Sequence, residues 1–289
     1  MGTRARRIQD LPNALAGRGE LARRLTGRRP ALFCDYDGTL TPIVDRPEDA
    51  RMSPGMRDSL RRLATRCPVC VVSGRDRRVV QELMGVDDLV VAGSHGFDIW
   101  SPEGGAVQRL EGSESQDLLR RVDARLREEL AAVDGALVEP KSVSVAVHYR
   151  LVAEEERPRV KAAVDAVLAE HPTELKVTPG KLVYEVQPRI DWDKGRAVLY
   201  LLGALGLDRD DVVPLYLGDD VTDEDAFEAL TDRGVGVFVG RPGDPEMAGH
   251  TTRADFVLDG TDEVQRFLDG LAGWIRDGGL VGARSAGAR

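Results

Sequence analysis

Between residues 31 and 92, short and largely apolar runs alternate with amphipathic stretches. Ala31-Leu32-Phe33-Cys34, residues 68–72 and residues 88–92 have the length and flanking turn residues of buried strands, whereas 53–65 and 76–84 place apolar side chains at helical spacing. This alternation predicts βαβ units in a parallel sheet. The texture changes after Gln108. Ser113 opens a long charged amphipathic segment to Ala132, ended by Gly135, and strand-like runs follow at Leu137-Val138-Glu139 and from Val143 to Tyr149. A helix is expected over 154–170, then two strands over 174–177 and 182–186 about the turn Thr178-Pro179-Gly180-Lys181. Helix, two strands, helix, two strands is a small α+β unit with a mainly antiparallel sheet. After Trp192 the first rhythm returns, with helices over 194–204 and 223–230, strands over 212–217 and 234–239, and a last strand at Phe256-Val257-Leu258.

The simplest architecture is therefore a doubly wound α/β core interrupted by an α+β insert. The expected boundaries are an Arg- and Leu-bearing leading helix or loose arm over 1–28, a core over 29–108 and 189–275, an insert over 109–188, and a tail rich in Gly, Ala and Arg over 276–289.

Composition narrows what such a molecule does. The 289 residues are 42% hydrophobic and 31% charged, as in a soluble globular protein able to bury a substantial core. No stretch approaches the roughly 18 apolar residues of a membrane span, and the Arg-rich start lacks the apolar core of a secretory signal, so a cytoplasmic location is expected. The net charge of -9 argues against general binding to nucleic acid or anionic membranes. Cys67-Pro68-Val69-Cys70 has zinc-knuckle spacing, but no second Cys or His pair supplies the remaining ligands, and Cys34 and Cys70 read as strand residues.

Candidate chemistry sits where two apolar runs end. Asp35 and Asp37 share strand parity just before Gly38-Thr39, and Leu215-Tyr216-Leu217-Gly218 leads into Asp219-Asp220 with Asp223, Glu224 and Asp225 behind. In parallel α/β sheets the loop after a strand is where ligands bind, and paired carboxylates there call for a divalent metal, a phosphoryl group or both. A surface Asp-Gly turn would account for the first pair but not for the second cluster. Glu224, Asp225 and Glu228 read as helix-start charges.

Four motifs in order, Asp35-Tyr36-Asp37-Gly38-Thr39, Val71-Val72-Ser73-Gly74-Arg75, Asp193-Lys194-Gly195 and Gly218-Asp219-Asp220, resemble those of the haloacid dehalogenase superfamily of phosphohydrolases. Within that superfamily the trehalose-6-phosphate phosphatase family is most similar. That likeness rests on the run from Gly218 to Phe227, on Gly93-Ser94-His95-Gly96, on Glu139-Pro140-Lys141 and on His148-Tyr149-Arg150.

The resemblance implies a Rossmann-like core with a mobile cap, and Asp35 as a nucleophile that forms an aspartyl-phosphate. Asp37 would protonate the leaving sugar oxygen and then activate water, a dual role suited to a positioned carboxyl group. Mg²⁺ would be held by Asp35, the carbonyl of Asp37 and Asp219, with Asp220 and Asp223 behind Asp219 or in its place. Such hard oxygen ligands suit this ion. Ser73, Thr39, the Gly38 amide and Lys194 are the expected phosphate donors. Lys194 opens a helix, where the dipole disfavours a cation, so an anionic partner is expected beside it. An ordinary solvated lysine is the alternative.

A cap reading a disaccharide should offer charged and hydrogen-bonding groups. Glu139, Lys141, Lys181 and Glu185 from the insert and Arg75 and His95 from the core fit that need, while His148, alternating with valines, also reads as a plain sheet residue. The expected substrate is trehalose 6-phosphate, with no nucleic-acid or membrane partner and with the synthase that makes the substrate as a candidate protein partner. The rivals are another capped sugar-phosphate phosphatase, a phosphomutase, or a non-catalytic sugar-phosphate-binding regulatory domain.

Overall fold

The structure, a computed structural model, describes residues 5–279 except 103, 110–112, 142, 190, 191 and 243–248. The chain opens with β1 (Arg6–Arg7) and α1 (Arg18–Leu25), then builds β2 (Arg29–Cys34), α2 (Pro54–Ala64), β3 (Val69–Val72), α3 (Arg77–Met84), β4 (Val90–Gly93), β5 (Asp98–Ser101) and β6 (Gly105–Arg109). The insert follows as α4 (Ser113–Leu130), β7 (Leu137–Pro140), β8 (Val145–His148), α5 (Arg157–Glu170), β9 (Leu175–Gly180) and β10 (Val183–Pro188). The last part runs α6 (Lys194–Ala204), β11 (Val212–Gly218), α7 (Glu224–Ala229), β12 (Val235–Val239), β13 (Thr251–Thr252), β14 (Phe256–Leu258) and α8 (Thr261–Arg276).

Eight strands form the main sheet in the order β14-β12-β11-β2-β3-β4-β5-β6. Pairing is parallel from β14 to β4 and antiparallel for β5 and β6. The parallel strands are apolar on both faces because both faces are covered. Leu32, Cys34, Leu215 and Leu217 pack toward α2 and α8, whereas Ala31, Phe33 and Tyr216 pack toward α6 and α7. From β2 the chain moves outward through β3 and β4, and from β11 it moves the opposite way through β12 and β14. The order therefore reverses between β2 and β11, and the carboxyl ends of strands beside such a reversal frame a crevice.

The insert forms a separate antiparallel sheet, β7-β8-β10-β9, with its own core of Val138, Val145, Val147 and Val186 against α4 and α5. The alternation from Ser144 to His148 thus puts Val145 and Val147 in the core against the helices and Ser144, Ala146 and His148 on the other face.

Local signals set the helix ends. Ser53 accepts the Met56 amide at the start of α2 with Pro54 next in line, Asp193 accepts the Arg196 amide at the start of α6, and Gly85 ends α3 at φ +63°.

The structure differs from the sequence expectation in four places. β5 and β6 extend the sheet as a hairpin. α8 covers one face of it, with Val264, Phe267, Leu268 and Leu271 buried in helical register. The N-terminal segment is docked through buried Ile8, Leu11 and Ala14, through the pairing of β1 with β13, and through an Asn13–Val257 bridge. The turn between β9 and β10 is the two residues Lys181-Leu182, because the strands pair up to Gly180 and Val183. Residues 1–4 of the expected arm and 280–289 of the expected tail lie outside the described residues.

Candidate active site

Asp35 continues β2 past Cys34, its amide bonding to Leu217 O (2.8 Å) on β11, so the first and last acidic motifs are sheet neighbours. Gly38, at φ +75°, lets the loop turn under β11, since a Cβ there would lie 2.1 Å from Asp219 Oδ2. Thr39 is fully buried and donates to Asp219 Oδ1 at 3.4 Å. Asp37 turns the other way. Arg75 grips both its oxygens, Nε to Oδ2 at 2.6 Å and Nη2 to Oδ1 at 2.7 Å, while Nη1 is tied to Pro47 O at 2.7 Å.

At the end of β11, Gly218 leaves room for the Asp223 carboxylate, whose Cγ would lie 2.3 Å from a Cβ at that position. Asp223 is fully buried and accepts four hydrogen bonds: from Tyr216 Oη (2.7 Å) and Lys194 Nζ (2.7 Å) on Oδ1, and from the amides of Asp219 and Asp220 (both 2.9 Å) on Oδ2. Lys194, 2% exposed, also lies 3.1 Å from Asp35 Oδ2. The cation at the start of α6 thus has two carboxylate partners. Burial opposes its charge, but Asp223 and Asp35 outweigh that and hold its pKa above the ordinary lysine value.

Oxygens of Asp35, Asp219 and Asp223 lie within 4.8 Å of one another. Burial, followed by the charges of Asp223, Asp219 and Asp37, pushes Asp35 well above the usual carboxylate range against the pull of Lys194. Burial and the neighbouring Asp223 and Asp220 raise Asp219 to about 7, although Lys181 opposes this. Asp220 stands apart from the triad, its carboxylate accepting the Val221 amide at 2.7 Å.

The ends of β3 and β4 add a strained corner. Ser94, His95 and Gly96 are all left-handed, at φ +51°, +56° and +93°, a conformation costing roughly 1–3 kcal/mol for each non-glycine residue. Four hydrogen bonds hold it: Ser94 N to Arg75 O (2.7 Å), His95 N to Ser73 O (2.8 Å), Ser94 Oγ to Asp76 Oδ1 (3.0 Å) and Trp192 Nε1 to His95 O (3.1 Å). The corner turns the imidazole toward the insert, Nε2 lying 3.4 Å from Glu185 Oε2. Ser73 is buried, and its Oγ accepts the Arg75 amide at 3.1 Å.

Cross-strand register gathers the insert's polar face. Glu139 and Glu185 both pair with Ala146, so the two carboxylates flank a small residue on one face. Glu185 accepts from Ser144 Oγ (2.6 Å) and Lys141 Nζ (3.2 Å), and Lys141 also reaches Gly74 O on the core at 3.2 Å. Burial alone would raise Glu185, yet Lys141, His95 and Ser144 hold its pKa far below the usual range. Burial likewise opposes ionisation of Glu139, whose His148 partner (2.7 Å) together with Lys141 and Arg75 lowers its pKa. Lys181, at the β9–β10 turn, crosses to Asp219.

These walls enclose a cavity of about 180 Å³. Asp35, Asp37, Asp219, Asp220 and Lys194 line its core side together with Arg75 and His95, and Glu139, Lys141, Lys181 and Glu185 line the insert side. Ser73 and Thr39 lie outside the lining. Motif reading names Asp223 as a ligand behind Asp219 or in its place, with a capping-box spacing from Asp220 as its local signal, and names Arg150 only within the His148-Tyr149-Arg150 likeness, without a role. It misses Ile43 and Val44, which line the cavity after the first loop.

Comparison with known proteins agrees with this geometry. The trehalose-phosphatase family model matches residues 33–259. A trehalose-phosphate phosphatase of Mycobacterium tuberculosis is 41% identical over 276 residues, which is 95% of this chain and 69% of that protein. A longer M. tuberculosis chain described as an uncharacterized glycosyl hydrolase is 42% identical over 268 residues, 92% of this chain but 20% of its own length. Among solved structures, the C-terminal domain of Candida albicans trehalose-6-phosphate phosphatase superposes with a TM-score of 0.76 at 25% identity, covering 91% of this chain and 98% of that one. With its doubly wound core, its inserted α+β unit and a family match that runs from the first acidic motif to the last strand, the chain belongs to the trehalose-phosphatase family.

Proposed function

We propose that the protein hydrolyses trehalose 6-phosphate to trehalose and inorganic phosphate through a phosphoryl-enzyme intermediate on Asp35. The observation that carries this reading is the placement of Asp35 and Asp37 at the strand-order reversal, with Lys194 on Asp35 and a polar, hydrogen-bonding insert face opposite. In the first step an Asp35 oxygen attacks phosphorus and the bond from phosphorus to the sugar oxygen breaks, that oxygen taking a proton from Asp37. In the second, water attacks the acyl-phosphate and gives a proton back to Asp37, freeing phosphate and restoring Asp35. Lys194 steadies negative charge on the nucleophile side. Arg75 orients Asp37, releasing at least one of its two hydrogen bonds when the carboxyl is protonated.

Three buried carboxylates within 4.8 Å, two of them with raised pKa values, fit a hard divalent cation. We assign Mg²⁺ to Asp35, Asp219 and Asp223 with the Asp37 carbonyl, and Asp220 to the capping of that loop. Bound there, the ion would offset the repulsion between phosphate and carboxylates. Glu139, Lys141, Lys181, Glu185 and His95 are proposed to recognise the glucose units, the insert serving as a cap.

Phosphate release over a panel of sugar phosphates tests the assignment. Trehalose 6-phosphate should be turned over fastest with Mg²⁺ and without any bisphosphorylated sugar. Preference for another sugar phosphate, or an absolute need for a bisphosphate, would move the protein to a different phosphatase or to a phosphomutase.

A further inference from the structure

The turn that carries Lys181 toward the core is a two-residue hairpin closure of uncommon composition. Such closures favour Gly, Asn or Asp where φ is positive, yet here the left-handed position is Leu182, at φ +60°. A branched side chain held there needs support from outside the hairpin. That support comes from one neighbouring segment, the two residues that follow β8. The Tyr149 amide donates to Leu182 O at 3.0 Å, and Arg150 Nη2 donates to Lys181 O at 2.9 Å. Both carbonyls of the turn are therefore pinned from the side.

The pinned turn has two outlets. The Lys181 ammonium reaches Asp219 on the core, and Leu182 lines the cavity. Close approach is built into the preceding residue, since a Cβ on Gly180 would stand 3.3 Å from Asp220 Oδ2. The position of the turn relative to β11 thus sets where Lys181 stands over the carboxylate cluster.

We infer that Arg150 is a positioning residue for the proposed reaction: by holding the Lys181 carbonyl it fixes the β9–β10 turn so that the Lys181 ammonium bridges from the insert to Asp219. This rests on the proposed phosphatase reading, for the reaction assayed as well as for the choice of substrate.

The test is a double-mutant cycle on the Mg²⁺-loaded full chain, with Arg150→Ala, Lys181→Ala and the double variant assayed on trehalose 6-phosphate and on p-nitrophenyl phosphate. A role through Lys181 predicts that Arg150→Ala lowers kcat/KM at least tenfold on the sugar phosphate and shows the same ratio between the two substrates as Lys181→Ala. It also predicts that the double variant is no worse than Lys181→Ala within about twofold. Losses that multiply in the double variant would show that Arg150 acts by a route other than Lys181. An Arg150→Ala enzyme within twofold of wild type would remove the residue from any role. Should Arg150→Ala prove unfolded by circular dichroism, the same cycle is run with Arg150→Gln, which keeps a donor amide but shortens its reach. Failure of wild type to favour trehalose 6-phosphate would overturn the substrate reading alone, since the cycle is then run on the sugar phosphate that is turned over fastest.

Discussion

The core wall of the cavity and the insert wall facing it are built by different means. On the core side the carboxylate cluster and its lysine are almost wholly removed from solvent, with Asp35 at 6%, Asp219 at 2%, Lys194 at 2% and Asp223 at 0% exposure, while Asp37 and Arg75 at the mouth are half-buried. On the insert side Glu185 is buried, but Glu139, Lys141, His148, Arg150 and Lys181 are half-buried, placed by antiparallel strands and the turns beside them and by pairing with another side chain or carbonyl. Buried charges in a fixed network keep their geometry whatever the substrate, whereas half-buried pairs can exchange partners with sugar hydroxyls. The difference supports the proposed division, with chemistry on one wall and selection on the other.

The largest expected effect comes from Asp35→Asn, which keeps size but removes the proposed nucleophile. It should lower turnover of both a sugar phosphate and a small aryl phosphate by at least about a thousandfold while leaving the melting temperature near wild type. Appreciable steady-state turnover by that variant would detach the chemistry from the core wall. Lys194→Ala comes next and should damage both substrates alike, by roughly a hundredfold, because it leaves Asp35 and Asp223 without their shared cation. Removing divalent metal with a chelator should likewise stop turnover of both substrates, and Mg²⁺ should restore it. Full activity in verified metal-free protein would contradict the assignment to Asp35, Asp219 and Asp223.

A smaller and selective loss is expected on the other wall. Glu139→Gln or Glu185→Gln should cost about tenfold in kcat/KM on trehalose 6-phosphate, the scale of one or two hydrogen bonds to a charged group, and little on the aryl phosphate. Equal losses on both substrates would make these residues part of cap structure and erase the contrast.

The smallest effect is on stability. Burial would raise the Glu185 pKa, but Lys141, His95 and Ser144 hold it below its ordinary 4.5. A carboxylate with a depressed folded-state value stabilises the fold fully above the unfolded pKa, and that contribution is lost progressively as the pH falls from there through the folded value. The melting temperature of wild type should therefore exceed that of Glu185→Gln by a few degrees near pH 7, with the gap narrowing steadily as the pH falls below about 4.5. A gap independent of pH would mean that packing, not charge, accounts for it.

The same division governs what the sequence makes legible. Asp35, Asp37 and Asp219 follow apolar runs directly, so their place at strand ends is readable from local order, as is the doubly wound core itself. The helix Thr261–Arg276 is written just as openly in the spacing of Val264, Phe267, Leu268 and Leu271, but no alternation of strand and helix beyond it draws attention to it. Asp223 is harder to see, because its importance lies in four donors that converge only after β11, α6 and the loop between β11 and α7 have packed together. Arg75 reads as a ligand for substrate, yet its partner in the fold is Asp37, 38 positions away. On the insert, the strand periods disclose which face is polar but not who pairs with whom. Glu139 meets His148, and Arg150 meets the carbonyl of Lys181, through register that no local pattern contains.

The account's central claim is that one wall performs the chemistry and the other chooses the sugar. Its most direct test is the ratio of kcat/KM for trehalose 6-phosphate to that for p-nitrophenyl phosphate, measured with Mg²⁺ in wild type, Glu185→Gln and Lys194→Ala. The prediction is a ratio that falls about tenfold in Glu185→Gln and stays near the wild-type value in Lys194→Ala even as both rates drop. A ratio unchanged in Glu185→Gln, or one that collapses in Lys194→Ala, would contradict it.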